Sequence, residues 1–197
     1  MKMLRAVAYC RRTAVLWLCV VVVSQIAGAQ IWIASTGSVD QSSISTYQFT
    51  GQLAFVRPSL AKGTVTLRYN VFPAGDLLKP ITDPCCEARV LMVRFLDNGS
   101  GAQVIVTLKQ YNVTTGQLTT LLRFDSNRYP PKSAFQERVP TIFDGAFFNF
   151  SFAQGPTDGS QDEGGCCAYY VEAKLIRSAS GGTPGLGSIR LVRTLAP

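Results

Sequence analysis

Residues 64–71 read TVTLRYNV. Val65, Leu67, Tyr69 and Val71 alternate with Thr64, Thr66, Arg68 and Asn70. Successive side chains of a strand point to opposite faces, so this pattern is a β-strand with one buried and one wet face. The same period recurs outward from it. Leu91, Val93 and Phe95 mark a second strand, and Asp97-Asn98-Gly99-Ser100-Gly101 follows as a turn rich in residues that accept positive φ. Val104, Val106 and Leu108 then alternate with Ile105, Thr107 and Lys109. A turn at Thr114-Thr115-Gly116 leads to Leu118, Leu122 and Phe124 on a return strand. Residues 88–125 are therefore expected to form a three-stranded antiparallel meander.

Further strands follow on the same grounds. Phe148, Phe150 and Phe152 share one face, as do Tyr169, Val171, Ala173 and Leu175, and then Ile189, Leu191 and Leu195. Residues 30–35 and 46–56 add two weaker strands. Tyr129-Pro130-Pro131 and Pro140 interrupt any regular pairing, so residues 126–145 read as a long loop. Residues 154–165 are a polar loop and residues 178–187 a glycine-rich turn. About nine strands at this spacing predict an all-β, antiparallel β-sandwich, jelly-roll or immunoglobulin-like. The alternation argues against an α/β fold, whose buried parallel strands read as continuous apolar runs.

The N-terminus has a different character. Residues 1–12 carry Lys2, Arg5, Arg11 and Arg12 and no acid, residues 13–23 are strongly apolar, and Ala27 and Ala29 form an A-x-A pattern. That order is a secretory signal peptide, helical over its apolar core, with cleavage after Ala29. The apolar run is about half the roughly 20 residues of a spanning helix, so no stable membrane span is expected after processing. The organisation is then a leader at 1–29 and one domain at 30–197. The product is secreted, periplasmic or cell-surface.

Export reshapes the charge and cysteine arguments. The full chain is +7, but four of its 19 basic residues lie before Gln30, leaving 15 against 12 acids. The remainder are scattered, and no nucleic-acid partner is expected. Four of the six cysteines remain, as the adjacent pairs Cys85-Cys86 and Cys166-Cys167. In an exported chain these are disulfides, with three possible connectivities. Each pair stands at the entrance to an apolar strand, which favours cross-links between the pairs over two vicinal bridges. Neighbouring residues of an extended chain point to opposite faces, which disfavours one tetrahedral metal site.

No histidine is present. Ser-His-Asp and Cys-His catalysis are therefore excluded within the chain, and no G-x-S-x-G or P-loop pattern occurs. The enzymatic route left is a carboxylate pair, with Glu87 and Glu172 each on a strand beside a cysteine pair. No cofactor is expected; the oxygen ligands Asp158, Asp162 and Glu163 form the one calcium-like cluster. Trp32, Tyr129, Tyr169 and Tyr170 are the candidate ligand-binding aromatics, with core packing as the competing role of each ring. Asn98-Gly-Ser, Asn112-Val-Thr and Asn149-Phe-Ser match the N-glycosylation triplet.

The functional expectation is an exported non-catalytic binding module for carbohydrate or a cell-surface partner. The alternative is a structural or assembly subunit of the cell envelope or a surface appendage, using residues 30–45 as an arm onto a neighbour's sheet edge. A carboxylate-based hydrolase ranks third. The partners that follow are polysaccharide or an envelope protein.

Overall fold

The structure, a computed structural model, describes residues 30–71, 87–138, 147–148 and 167–195. In chain order the strands are β1 (Gln30–Ile33), β2 (Ser38–Val39), β3 (Tyr47–Thr50), β4 (Leu53–Val56), β5 (Gly63–Val71), β6 (Glu87–Asp97), β7 (Ala102–Asn112), β8 (Leu118–Asp125), β9 (Lys132–Arg138), β10 (Phe147–Phe148), β11 (Cys167–Arg177) and β12 (Gly185–Leu195).

They form two antiparallel sheets. One runs β2-β5-β11-β7-β8. The other centres on the β6–β12 pair; β1 and β4 share the free side of β12, β9 and β10 share that of β6, and β3 lies beyond β4. From β4 onward the pairing is nested: β4 with β12, β5 with β11, β6 with β9 and β10, and β7 with β8. That is one long hairpin rolled up on itself, first strand against last. This topology is the jelly roll, and it decides between the two sandwich types that period-two patterning allowed.

The inward faces are the ones the alternation marks. Val65, Leu67, Tyr69 and Val71 of β5 are buried against Leu91, Val93 and Phe95 of β6 and Leu186, Ile189 and Leu191 of β12. Val104, Val106 and Leu108 of β7, Leu122 and Phe124 of β8, and Val171, Ala173 and Leu175 of β11 complete the core. Each fully buried Val, Leu or Phe contributes roughly 1.5–3 kcal/mol of transfer free energy. A one-residue slip of any strand would turn its whole set to solvent, so this pattern also sets register.

Four expectations are corrected. The span 88–125 is not a three-stranded meander: β6 lies in one sheet and β7 and β8 in the other, so only β7 and β8 pair. Residues 126–145 are not one loop, because β9 lies within them and pairs with the edge of β6. Its inward position is Gln136, 7% exposed, whose amide donates to the Pro130 carbonyl while its oxygen accepts from Arg138. A polar residue on the buried face conceals the alternation, and the two prolines stand before the strand, where they cost no ladder bond. Residues 46–56 form a hairpin rather than one strand: Thr50 pairs with Leu53 around a two-residue turn whose Gly51 has φ 60°. The strand number is accordingly twelve among the described residues instead of about nine. Of the expected strand at 148–152, only Phe148 is described; Phe150 and Phe152 lie outside.

The two ends of the sandwich differ. At one, which we call the hairpin end, β6 turns into β7. β6 and β11 both begin at the other, in facing sheets, as follows from the antiparallel β7–β11 register. Cys167 sits there, first residue of β11 and opposite Asn112, and its sulfur is in a disulfide. Cys85, Cys86 and Cys166, like the expected leader at 1–29, lie outside the described residues.

Candidate functional site

A cleft of about 310 Å³ opens at the hairpin end, lined by Asp97, Gly99, Ser100, Asn127, Tyr129 and Pro131. Its floor follows from strand parity. Asp97 continues the inward series Leu91, Val93, Phe95, and Ser126 continues the inward series Leu122, Phe124. Two polar residues therefore take positions that alternation reserves for the core. Asp97 is 4% exposed and Ser126 fully buried. Ser126 Oγ donates to Asp97 Oδ2 at 2.6 Å and accepts from the Val104 backbone N–H at 2.8 Å. Asp97 makes no ion pair among the described residues.

The walls are fixed by turns. Ser126–Arg128 is one 3-10 turn, capped by Asp125, whose side chain accepts from the Asn127 N–H. Gln103 and Arg123 hold that carboxylate in place at 2.9 and 3.2 Å. Opposite, the β6–β7 turn is tied to the turn before β12. The Thr183 N–H donates to Asn98 Oδ1 at 2.5 Å, and the Ser178 N–H donates to the Gly101 carbonyl at 2.7 Å. Gly101 is required at this crossing: a Cβ there would fall on the Gly181 carbonyl and 2.7 Å from its nitrogen. The cleft thus presents a carboxylate, an amide and a hydroxyl at defined points, and no imidazole or thiol.

The four candidate aromatics are not brought together. Tyr129 lines the cleft, but its ring is stacked on Phe124 at 5.6 Å and lies 6.1 Å from Phe95, with the Arg138 guanidinium 5.4 Å over it. It forms a wall. Tyr169 faces the core at 8% exposure. Trp32 packs partly against the core and donates from Nε1 to the Asn70 carbonyl at 3.2 Å, joining β1 to β5. Tyr170 is the outward member of its pair, half-buried on the outer face of the β5–β11–β7 sheet, with Lys109 Nζ 5.9 Å from its ring centroid.

That outer face carries a charge network around Glu172. Lys109 Nζ lies 2.8 Å from Oε1, Lys174 Nζ 3.5 Å from the same oxygen, and Arg68 3.4 Å from Oε2. Arg68 also holds Asp40 at 2.9 Å. Burial pushes the Glu172 carboxyl up, but the Lys109 hydrogen bond and the charges of Lys109, Lys174 and Arg68 outweigh it and hold the group below its ordinary value. A glycosidase acid needs the opposite shift. Glu87 begins β6 in the facing sheet. The carboxylate-pair expectation is therefore corrected: the two acids stand on different sheets, and the one whose surroundings are described is locked by cations.

Among the described residues no group of three His, Cys, Asp or Glu side chains could hold a metal, and no helix is long and apolar enough to cross a membrane. The calcium-like cluster Asp158, Asp162 and Glu163 lies outside the described residues. Within residues 30–45, expected as an arm onto a neighbour's sheet edge, residues 30–33 and 38–39 pair with their own domain through β1 on β12 and β2 on β5.

No protein-family model matches the chain, and no curated protein matches it. Among solved structures it is similar to one described as the structure of infectious bursal disease virus Gt strain. The identity is 13% and the TM-score 0.31, over 83% of this chain and 31% of that one. This chain therefore spans about a third of that protein, and a likeness this slight carries no argument about ligand or assembly.

Proposed function

We propose that the chain is an exported, non-catalytic binding module that takes a carbohydrate in the hairpin-end cleft. The observation that carries this reading is Asp97, a carboxylate held 4% exposed at the floor of a cleft without a cation partner among the described residues. A buried carboxylate is costly unless its acceptor sites are filled. Ser126 fills one, and ligand hydroxyls, donors without charge, suit the remainder. Ser100 and Asn127 add exposed donors and acceptors on the rim. The volume lies at the lower end of the range for small-ligand sites. Strand ends tied by cysteines at the opposite end would keep such a site rigid outside the cell.

The test is retention of the oxidised 30–197 chain on a panel of soluble and insoluble polysaccharides, with calcium and with chelator. Retention is expected, and Asn127→Ala should weaken it about tenfold, the loss of one good hydrogen bond, while leaving the melting temperature unchanged. Absence of retention across the panel, or an Asn127→Ala protein that binds as well as the parent, refutes the assignment.

A further inference from the structure

The hairpin joining β7 to β8 ends in an uncharged, partly apolar tip. No charged residue lies between Lys109 and Arg123. Tyr111, Val113 and Leu118 are 40%, 56% and 50% exposed, and they are three of the five exposed large hydrophobics among the described residues. Among the described residues β8 is also the last strand of its sheet, and its first three residues are exposed. Sheet edges are normally defended by charge, proline or cover. Here a bulge opposite Leu108 and Lys109 twists the strand, but the start of the edge carries no charge.

Asn112 stands within this patch, in the triplet Asn112-Val113-Thr114. The turn grips it by its oxygens and its backbone. Oδ1 accepts from the N–H groups of Thr114 and Thr115, both at 2.9 Å. The Asn112 carbonyl accepts from Gly116, and its N–H donates to the Gln117 carbonyl. Nδ2 has no partner among the described residues, and Thr114 is exposed. The turn thus occupies the amide oxygen, while the nitrogen on which an oligosaccharide is built keeps no partner among the described residues.

We propose that Asn112 carries an N-linked oligosaccharide on Nδ2 and that this sugar covers the Tyr111, Val113 and Leu118 tip. The donor class is an oligosaccharide on a polyprenyl diphosphate. Nδ2 displaces the diphosphate at the anomeric carbon, so one C–N bond forms, one C–O bond breaks, and an amide proton passes to the transferase's base. The inference rests on the export reading and is independent of the cleft.

The experiment expresses the full chain in a glycosylating insect-cell secretion host and follows the medium by peptide mass spectrometry before and after N-glycosidase. The expected result is exported protein with glycan at Asn112, lost completely in Thr114→Ala and kept in Thr114→Ser. Both variants preserve the backbone N–H and the Asn112 turn. Thr114→Ala should also self-associate on a sizing column at concentrations where Thr114→Ser stays monomeric. Protein in the medium with Asn112 unmodified overturns the glycan and leaves export standing. Chain that is never translocated overturns both. A glycan whose loss leaves the sizing profile unchanged overturns its covering role.

Discussion

Replacing Ser126 by alanine removes one oxygen that two buried groups depend on. The Val104 N–H loses its 2.8 Å acceptor, and Asp97 Oδ2 loses its 2.6 Å donor. Ser126 is fully buried and Asp97 is 4% exposed, so bulk water cannot replace the hydroxyl without opening the β6–β8 corner. A buried group left unsatisfied costs about 1–3 kcal/mol, and more for a charged one, so Ser126→Ala should lose about 4 kcal/mol. For a domain of this size that is a fall of roughly 8–16 °C in Tm. The assay is thermal and urea unfolding of the oxidised protein, with Asn127→Ala as the neighbouring control, expected within about 0.5 kcal/mol of the parent. In a double-mutant cycle, Asp97→Asn should cost less in the Ser126→Ala background than in the parent, because the bond it weakens is already gone. Ser126→Ala should also weaken polysaccharide retention, since Asp97 loses the partner that aims it. A loss under about 1 kcal/mol, or full additivity of the two changes, would refute the claim that this hydroxyl holds the floor of the cleft.

Gly101→Ala places a methyl group on the Gly181 backbone and should cost at least about 3 kcal/mol, in the range of severe strain. Gly51→Ala, at φ 60° with open space around it, should cost only about 1–2 kcal/mol for the left-handed backbone; equal losses on chemical denaturation would show the Gly101 crossing to be loose. Glu172 is a group whose folded pKa is lowered, so its stabilisation is present above the unfolded value of 4.5 and is lost as pH falls through the lower folded value. Glu172→Gln should therefore be less stable than the parent at neutral pH, with the gap closing on acidification below about pH 4; a gap that stays constant down to pH 2 would rule out the Lys109–Glu172–Arg68 network as its source.

Period-two alternation carried most of the fold because the core is built from strand faces, and those faces are written in the chain as every second residue. Val65 to Val71 and Val104 to Leu108 needed nothing else. Sheet order was not legible, since alternation says which face is buried and nothing about the neighbour: β5 lies beside β11, about a hundred residues away, and not beside β6. β9 was missed because its inward residue is Gln136, satisfied by Pro130 and Arg138, contacts that only tertiary structure supplies.

The cleft shows why candidate site residues escape the same reading, and where a signal is nevertheless present. Alternation marks Leu91, Val93 and Phe95, whereas Asp97, an acid next to Asn-Gly-Ser-Gly, reads as turn. Continued by one step, the same parity places Asp97 inward, and on β8 it places Ser126 inward after Leu122 and Phe124. A polar residue on inward parity at a strand's end must find a partner or a ligand. Asp97 and Ser126 are each other's partner, 29 positions apart in sequence, because β6 in one sheet and β8 in the facing sheet both end at the hairpin end. Glu172 is the converse case. Its outward parity reads as a solvated position, yet it is 6% exposed, buried by the side chains of Lys109, Lys174 and Arg68, which gather over it from three strands. The physical distinction between the two acids is their partners. Three cations neutralise Glu172, so that face needs nothing further, whereas a single neutral hydroxyl serves Asp97, and the acceptor capacity that remains is what the proposed binding role assigns to a ligand.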